Sequence, residues 1–140
     1  MAEAREHVLP LRVYLEDTDA QGLVYHANYL RFFERARSEI LDAAGYPMRD
    51  LAAGTHRFVV YEMRIRFRTP ARLGDRLLVR TRVERTSGYR VTFRQEARRE
   101  ADAATLASAD VDVVCLDGSG KLRELPASLS GVLSDEARQG

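Results

Sequence analysis

Beyond residue 60 the sequence alternates so strictly that antiparallel strands are almost the only structure open to it. Met63, Ile65 and Phe67 fall on one face while Glu62, Arg64, Arg66 and Arg68 fall on the other, and Pro70 closes the segment. After Gly74-Asp75 the pattern resumes, with Leu77, Val79, Thr81 and Val83 set against Leu78, Arg80, Arg82 and Glu84. Ser87-Gly88 separates that run from Tyr89, Val91, Phe93, Gln95 and Ala97, which alternate with Arg90, Thr92, Arg94, Glu96 and Arg98. A period of two marks strands with one buried face, and connections this short join antiparallel neighbours. The last run, Thr105 to Leu116, is small and apolar on both faces, which suits a central position in the sheet; Asp117-Gly118 ends it.

One long stretch has the helical period instead. From about Asn28, the residues Tyr29, Phe33, Ala36, Ile40 and Ala43 or Ala44 recur every three or four positions. Arg31, Glu34, Arg35, Arg37, Ser38 and Glu39 form a polar flank, and Gly45 and Pro47 stop the helix. Upstream, Val8 to Glu16 reads as a further strand, and a turn is expected near Gly54. The order is therefore strand, helix, then four strands: an α+β domain in which one long helix covers the apolar face of an antiparallel sheet of about five strands. Nothing divides the 140 residues into repeats or linkers, so a single domain over 1–140 is expected. A loosely held tail follows from about Pro126, with a short helix near Leu129 to Ala137.

Composition narrows the function classes. The chain has 22 Lys+Arg against 21 Asp+Glu and is 45% apolar, an ordinary globular balance that argues against a general polyanion binder. No run approaches the ~18 to 20 apolar residues that span a bilayer, and Met1 to His7 is charged with no apolar segment behind it, so a cytoplasmic protein is expected. The single cysteine, Cys115, excludes an internal disulfide, and its apolar surroundings imply an inert buried thiol. His7, His26 and His56 lack ligand spacing, so no metal is expected, and no glycine-rich loop announces a nucleotide.

The chemistry concentrates between Tyr14 and Leu30, where Glu16, Asp17 and Asp19 precede Gly22, His26 and the start of the helix. A helix N-terminus presents free backbone N–H groups and partial positive charge, suited to a polarised carbonyl or an oxyanion. A carboxylate beside it can act as nucleophile or general base toward that carbonyl, and the two together describe acyl transfer. The same residues also admit a structural reading, in which the acids complement the helix dipole, Asn28 caps the helix and His26 is polar surface.

The segment Val13 to Glu39, V-Y-L-E-D-T-D-A-Q-G-L-V-Y-H-A-N-Y-L-R-F-F-E-R-A-R-S-E, closely resembles the signature of the 4-hydroxybenzoyl-CoA thioesterase-like hotdog family and its YbgC-like acyl-CoA thioesterase branch. Both the E-D-T-D-x-x-G-x-V-Y-H-x-x-Y and the F-E-R-A-R blocks are present, and weaker similarity runs through Tyr61-Glu62-Met63 and Pro70 to Asp75 as far as Leu125-Pro126. The resemblance implies the hotdog fold, a sheet wrapped around one central helix, and hydrolysis of an acyl-CoA. It puts the catalytic carboxylate on Asp19 and the carbonyl-polarising amide at about His26, whose ring would orient substrate or shuttle a proton. Gly22 would permit the turn that brings the helix start over the carboxylate, and Tyr25 would shape the acyl pocket. Leu15 departs from the pattern, since many relatives have a second tyrosine there, and any hydroxyl role at that position is absent. Asp17 and Glu16 are the rival acids, and Glu34 is expected to pair with Arg37 or Arg31 on its own helix. The implied reaction needs no cofactor beyond the CoA of its substrate.

Acyl-CoA carries phosphates, so cationic groups are needed outside the acyl site. Arg85 and Arg90, flanking Ser87-Gly88, are the candidates, although alternating arginines on strands also form an ordinary solvated face. Nucleic acid is a weaker partner, because no aromatic residues interleave the basic face. A homodimer or homotetramer is expected from the resemblance, with active sites at subunit interfaces. The rivals to hydrolysis are a non-catalytic acyl-CoA or partner-binding hotdog protein and a hotdog dehydratase acting on a hydroxyacyl thioester. The charge balance itself is uneven: residues 57–100 carry 13 basic and five acidic side chains, and the remainder carries nine basic and 16 acidic.

Overall fold

The computed structural model describes residues 6–46, 56–85 and 87–126. Its elements are β1 (His7–Arg12), a single 3-10 turn (Leu15–Asp17), α1 (Asn28–Ala43), β2 (Arg57–Phe67), β3 (Arg76–Arg85), β4 (Arg90–Arg99) and β5 (Thr105–Leu116). The five strands form one sheet in the order β1-β3-β4-β5-β2, with every neighbouring pair antiparallel. This is the α+β architecture expected from the alternation.

The alternating runs became strands with the expected faces. In β3, Leu77, Val79, Thr81 and Val83 are buried, and in β4 so are Val91, Phe93, Gln95 and Ala97. Helix α1 lies on that face against β3, β1 and β4, inserting Phe32, Phe33, Ala36, Ile40 and Leu41. Burying a Phe, Ile or Leu side chain stabilises by about 1.5–3 kcal/mol each, which is what holds a lone helix to the sheet. The helix ends where Gly45 takes φ 93°: Tyr46 N–H reaches back to Leu41 O (2.8 Å) and Gly45 N–H to Asp42 O (3.0 Å), satisfying carbonyls that have no partner within the helix.

Four readings need correction. The first strand stops at Arg12 rather than Glu16, because Asp17 Oδ2 accepts the Tyr14 N–H (2.8 Å) while Asp17 N–H bonds Tyr14 O (2.9 Å), curling the chain. Asn28 does not cap α1: the cap position is Ala27, and the Asn28 side chain is buried and engaged elsewhere. Arg37 leaves the polar flank for the core, where its Nη1 donates to Gln95 Oε1 (2.9 Å), so Glu34 meets it through its field rather than by an ion pair. β5 is interior but not apolar on both faces, since Ser108, Asp110 and Asp112 stand half-buried on its outer side. The stop at Pro47, the turn near Gly54 and the helix near Leu129 to Ala137 fall outside the described residues, whereas Pro126 is buried.

The alternation also concealed a bulge. Register shifts between Val60 and Glu62, leaving Tyr61 as an extra residue, so that Val60 (opposite Val113) and Met63 (opposite Val111) share one face.

Candidate active site

The end of β1 is tied to the β2–β3 connection by Val13 N–H to Asp75 O (2.9 Å) and Gly74 N–H to Val13 O (3.0 Å). The 3-10 turn then delivers Asp17 inward and Asp19 outward. An extended backbone would put acids two residues apart on one face, but the turn and the following bend divide them. Asp17 is 3% exposed, with Oδ1 accepting Asn28 Nδ2 (2.7 Å) and Oδ2 accepting the Tyr14 amide. Both of its oxygens are thus engaged in structure.

Asp19 begins a tight turn in which Gly22 N–H bonds Asp19 O (3.1 Å) and Asp19 N–H bonds Leu23 O (2.8 Å). Gly22 stands at φ 78°, a conformation that L side chains resist, and its carbonyl receives Leu73 N–H (3.1 Å). Asp19 Oδ1 accepts the amides of Gln21 (2.8 Å) and Leu23 (3.3 Å), while Oδ2 has no protein partner among the described residues. One oxygen orients the group, and the other is free for chemistry.

Asp19 opens on a cavity of about 250 Å³ whose walls include His26, Tyr29, Phe67, Arg68 and Leu106. His26 is exposed, its ring 4.5 Å from that of Tyr25 and 6.1 Å from that of Phe67. The start of α1 has no side-chain cap, and the amides of His26 and Ala27 have no acceptor among the described residues, whereas those of Asn28, Tyr29 and Leu30 bond Tyr25 O, His26 O and Ala27 O. Open amides at a helix N-terminus beside a free carboxylate oxygen can polarise a carbonyl and attack or hydrate it.

Behind the cavity, Tyr29 is 4% exposed; burial pushes its phenol up, and a backbone hydrogen bond at Ala71 and the charge of Arg99 partly oppose this. Arg99 holds the wall itself: Nη2 donates to Pro70 O (2.7 Å), Nη1 to Asp102 (2.9 Å) and Nε to Asp75 (3.1 Å).

Asp19 and His26 therefore meet at one cavity, and Gly22 forms the turn beneath it. Tyr25 does not line it and is nearly half exposed; Tyr29 and Phe67 do. Arg90 lies at the far end of the sheet, where β4 begins opposite Val114, roughly 26 Å from Leu106 at about 3.3 Å per residue. Its guanidinium sits 5.6 Å from the Tyr61 ring. The Arg85 side chain is outside the described residues, although its backbone ends β3. The sequence reading missed Tyr29, treated only as a helix core position, and Phe67 and Arg68, treated only as strand alternation. Tyr29 closes the motif that carries His26, which was the available signal. Phe67 and Arg68 reach the cavity through the pairing of β2 with β5, which no local pattern encodes.

The other groups weighed for chemistry lie apart. Cys115 is fully buried and burial pushes its thiol up, so it is a poor nucleophile. No group of three or more His, Cys, Asp or Glu side chains suited to a metal occurs among the described residues. A larger cavity, about 520 Å³, lies on the sheet's outer face and is lined by Arg64, Arg66, Arg80, Arg82, Arg94 and Arg98. It has no helix terminus and neither Asp19 nor His26, so it offers charge without a reacting constellation.

One helix laid on a five-stranded antiparallel sheet is the architecture of the hotdog thioesterases, and comparison with known proteins agrees. Residues 13–133 match the model of the thioesterase-like superfamily, and the chain belongs to that family. It is 42% identical over 121 residues to the acyl-CoA thioester hydrolase YbgC of Escherichia coli O157:H7, covering 86% of this chain and 90% of that one. The acyl-CoA thioesterase YbgC of Haemophilus influenzae is 42% identical over 115 residues, 81% of this chain and 82% of the other. Among solved structures, a 1,4-dihydroxy-2-naphthoyl-CoA thioesterase from Synechocystis superposes with TM-score 0.88 at 27% identity, covering 94% of this chain and 97% of that one. A probable thioesterase from Bartonella henselae gives 0.80 at 39%, covering 87% and 100%.

Proposed function

We propose that this chain hydrolyses the thioester of an acyl-CoA to the free acid and CoA, with Asp19 as the reacting carboxylate. The observation that carries this reading is the free Asp19 Oδ2 in a cavity shared with His26, whose backbone amide is open at the start of α1. The 42% identity to YbgC thioester hydrolases supports the same activity. Charge develops on the thioester oxygen as the carbonyl becomes tetrahedral, and the helix-terminal amides stabilise it there. Asp19 either takes a proton from the attacking water or attacks the carbonyl itself, giving an anhydride that water opens. Both routes release the CoA thiol and the acid. The His26 ring orients substrate or returns the proton to the departing thiolate, Gly22 sets the turn, and Tyr25 packs its ring beside that of His26.

No metal or redox group enters this scheme. Arg68 puts a cation on the cavity wall. Arg85 and Arg90, as contacts for CoA phosphates, would have to act on a substrate held by a second copy. A homodimer is therefore part of the proposal, and a β2 edge unpaired among the described residues, with half-exposed Val59, Val60 and Tyr61, supports it. A cytoplasmic setting is part of the proposal, and no helix among the described residues is long and apolar enough to cross a membrane.

Thiol release from a panel of CoA esters, short aliphatic to aromatic, tests the reading. Hydrolysis appears as free thiol at a rate proportional to enzyme. Saturable binding without thiol would make the chain a binding protein, and loss of water from a hydroxyacyl ester without thiol would make it a dehydratase.

A further inference from the structure

We infer that Asp17 and Asn28 form a positioning pair that holds the Asp19 carboxylate in register with the open end of α1, so that turnover depends on two side chains that never touch substrate. The inference rests on the reading of the Asp19 cavity as a thioesterase site. Neither residue lines that cavity. Both are buried, at 3% and 6% exposure, and a buried carboxylate costs several kcal/mol unless its oxygens are satisfied.

Asp17 satisfies both. Oδ2 accepts from the amide of Tyr14, before the reactive loop, and Oδ1 accepts from the Asn28 side chain, eleven residues on and after it. The Asp17 carbonyl receives Tyr25 N–H (2.9 Å), and Thr18 bridges to Val24. The loop bearing Asp19 is thus closed at its base by one side-chain and one backbone bond from the same residue.

The pairing also explains why a carboxylate is needed. Two donors meet two acceptor oxygens, whereas asparagine at 17 would offer one oxygen and a third donor. The reciprocal exchange restores the count: in Asp17→Asn/Asn28→Asp the new amide donates to the new carboxylate and its oxygen accepts the Tyr14 amide.

The test compares wild type, Asp17→Asn, Asn28→Asp and the double exchange by kcat, KM and melting temperature. Amide hydrogen exchange at Gln21 and Leu23, the donors to Asp19 Oδ1, is followed alongside. Asp17→Asn is expected to lower kcat by about 10- to 100-fold with KM changed by less than about threefold, because the reacting group is displaced rather than removed. Exchange at Gln21 and Leu23 accelerates while β4 and β5 amides stay protected. The double exchange returns kcat and loop protection to within about threefold of wild type, the signature of a coupled pair. Unchanged kcat in Asp17→Asn overturns the inference, as does a loss that merely tracks the unfolded fraction. If that variant does not fold, the folded double exchange decides alone: active supports, inactive overturns. Absence of thiol release by wild type would instead refute the thioesterase reading. The exchange data then judge the pair, accelerated loop exchange reversed in the double variant supporting it and unchanged exchange overturning it.

Discussion

At Gly22 the backbone adopts φ 78°, and a Cβ built there would meet nothing within 4 Å. The cost of a side chain is therefore conformational alone, roughly 1–2 kcal/mol. Gly22→Ala should lower stability by about that amount, measured by urea unfolding, and should lower turnover more than a distant substitution of equal stability cost. Asp17 and Asp19 show what single residues conceal. The motif marks Asp19, and its resemblance to a thioesterase signature carries a role; nothing in the letters D-T-D says that one acid turns inward to bind Asn28 and the other outward. The side chain of Asn28 was misread for the same reason. Its residue type suits a cap, and a buried partner eleven positions away outbid the adjacent amides. Position within the sheet likewise separates Arg90, made a candidate by its turn-flanking place in the sequence, from the Asp19 cavity of its own chain, since it lies at the opposite end of β5 from Leu106.

Between elements, the seam of α1 with the sheet is fastened by a polar cluster inside an otherwise apolar core. Arg37 donates to Gln95 Oε1, and Gln95 Nε2 donates to Phe33 O (2.9 Å) and Thr81 Oγ1 (3.0 Å). Burial pulls the Arg37 guanidinium below its usual range, with Glu34 partly opposing, so its remaining hydrogen bond carries weight. Gln95→Leu should cost about 2–3 kcal/mol in urea unfolding by stranding a buried cation, and Arg37→Leu added to it should recover part of that loss. Strand and helix identities were legible because their periods are long and regular. What was not legible depended on partners. β1 was read four residues too long because Val13 to Glu16 is β-prone, while the Asp17 carboxylate curls it. The bulge at Tyr61 is invisible to alternation counted only from Glu62, and Arg37 looks solvated until Gln95 arrives from β4.

Across the whole molecule the near-zero net charge resolves into two surfaces. The outer face of the sheet collects arginines from β2, β3 and β4, tempered by ion pairs such as Arg80 with Glu6 (2.8 Å), Arg94 with Glu84 (3.1 Å) and Arg98 with Glu96. The cavity with Asp19 lies at the other side, between the start of α1 and the end of β2. β2 is an edge strand, and on the proposed dimer its neighbour is a second β2. Val59→Lys/Tyr61→Lys should shift the species seen by sedimentation from dimer toward monomer while leaving the fold intact; a wild-type monomer at working concentration would contradict that assembly. The central claim concerns Asp19, and it is tested most directly by steady-state thiol release from Asp19→Asn beside its affinity for the same CoA ester. Removal of the reacting carboxylate predicts a fall in kcat of about 10²- to 10⁴-fold or more with affinity changed by less than about threefold. Turnover near that of wild type in a folded Asp19→Asn protein would contradict the account.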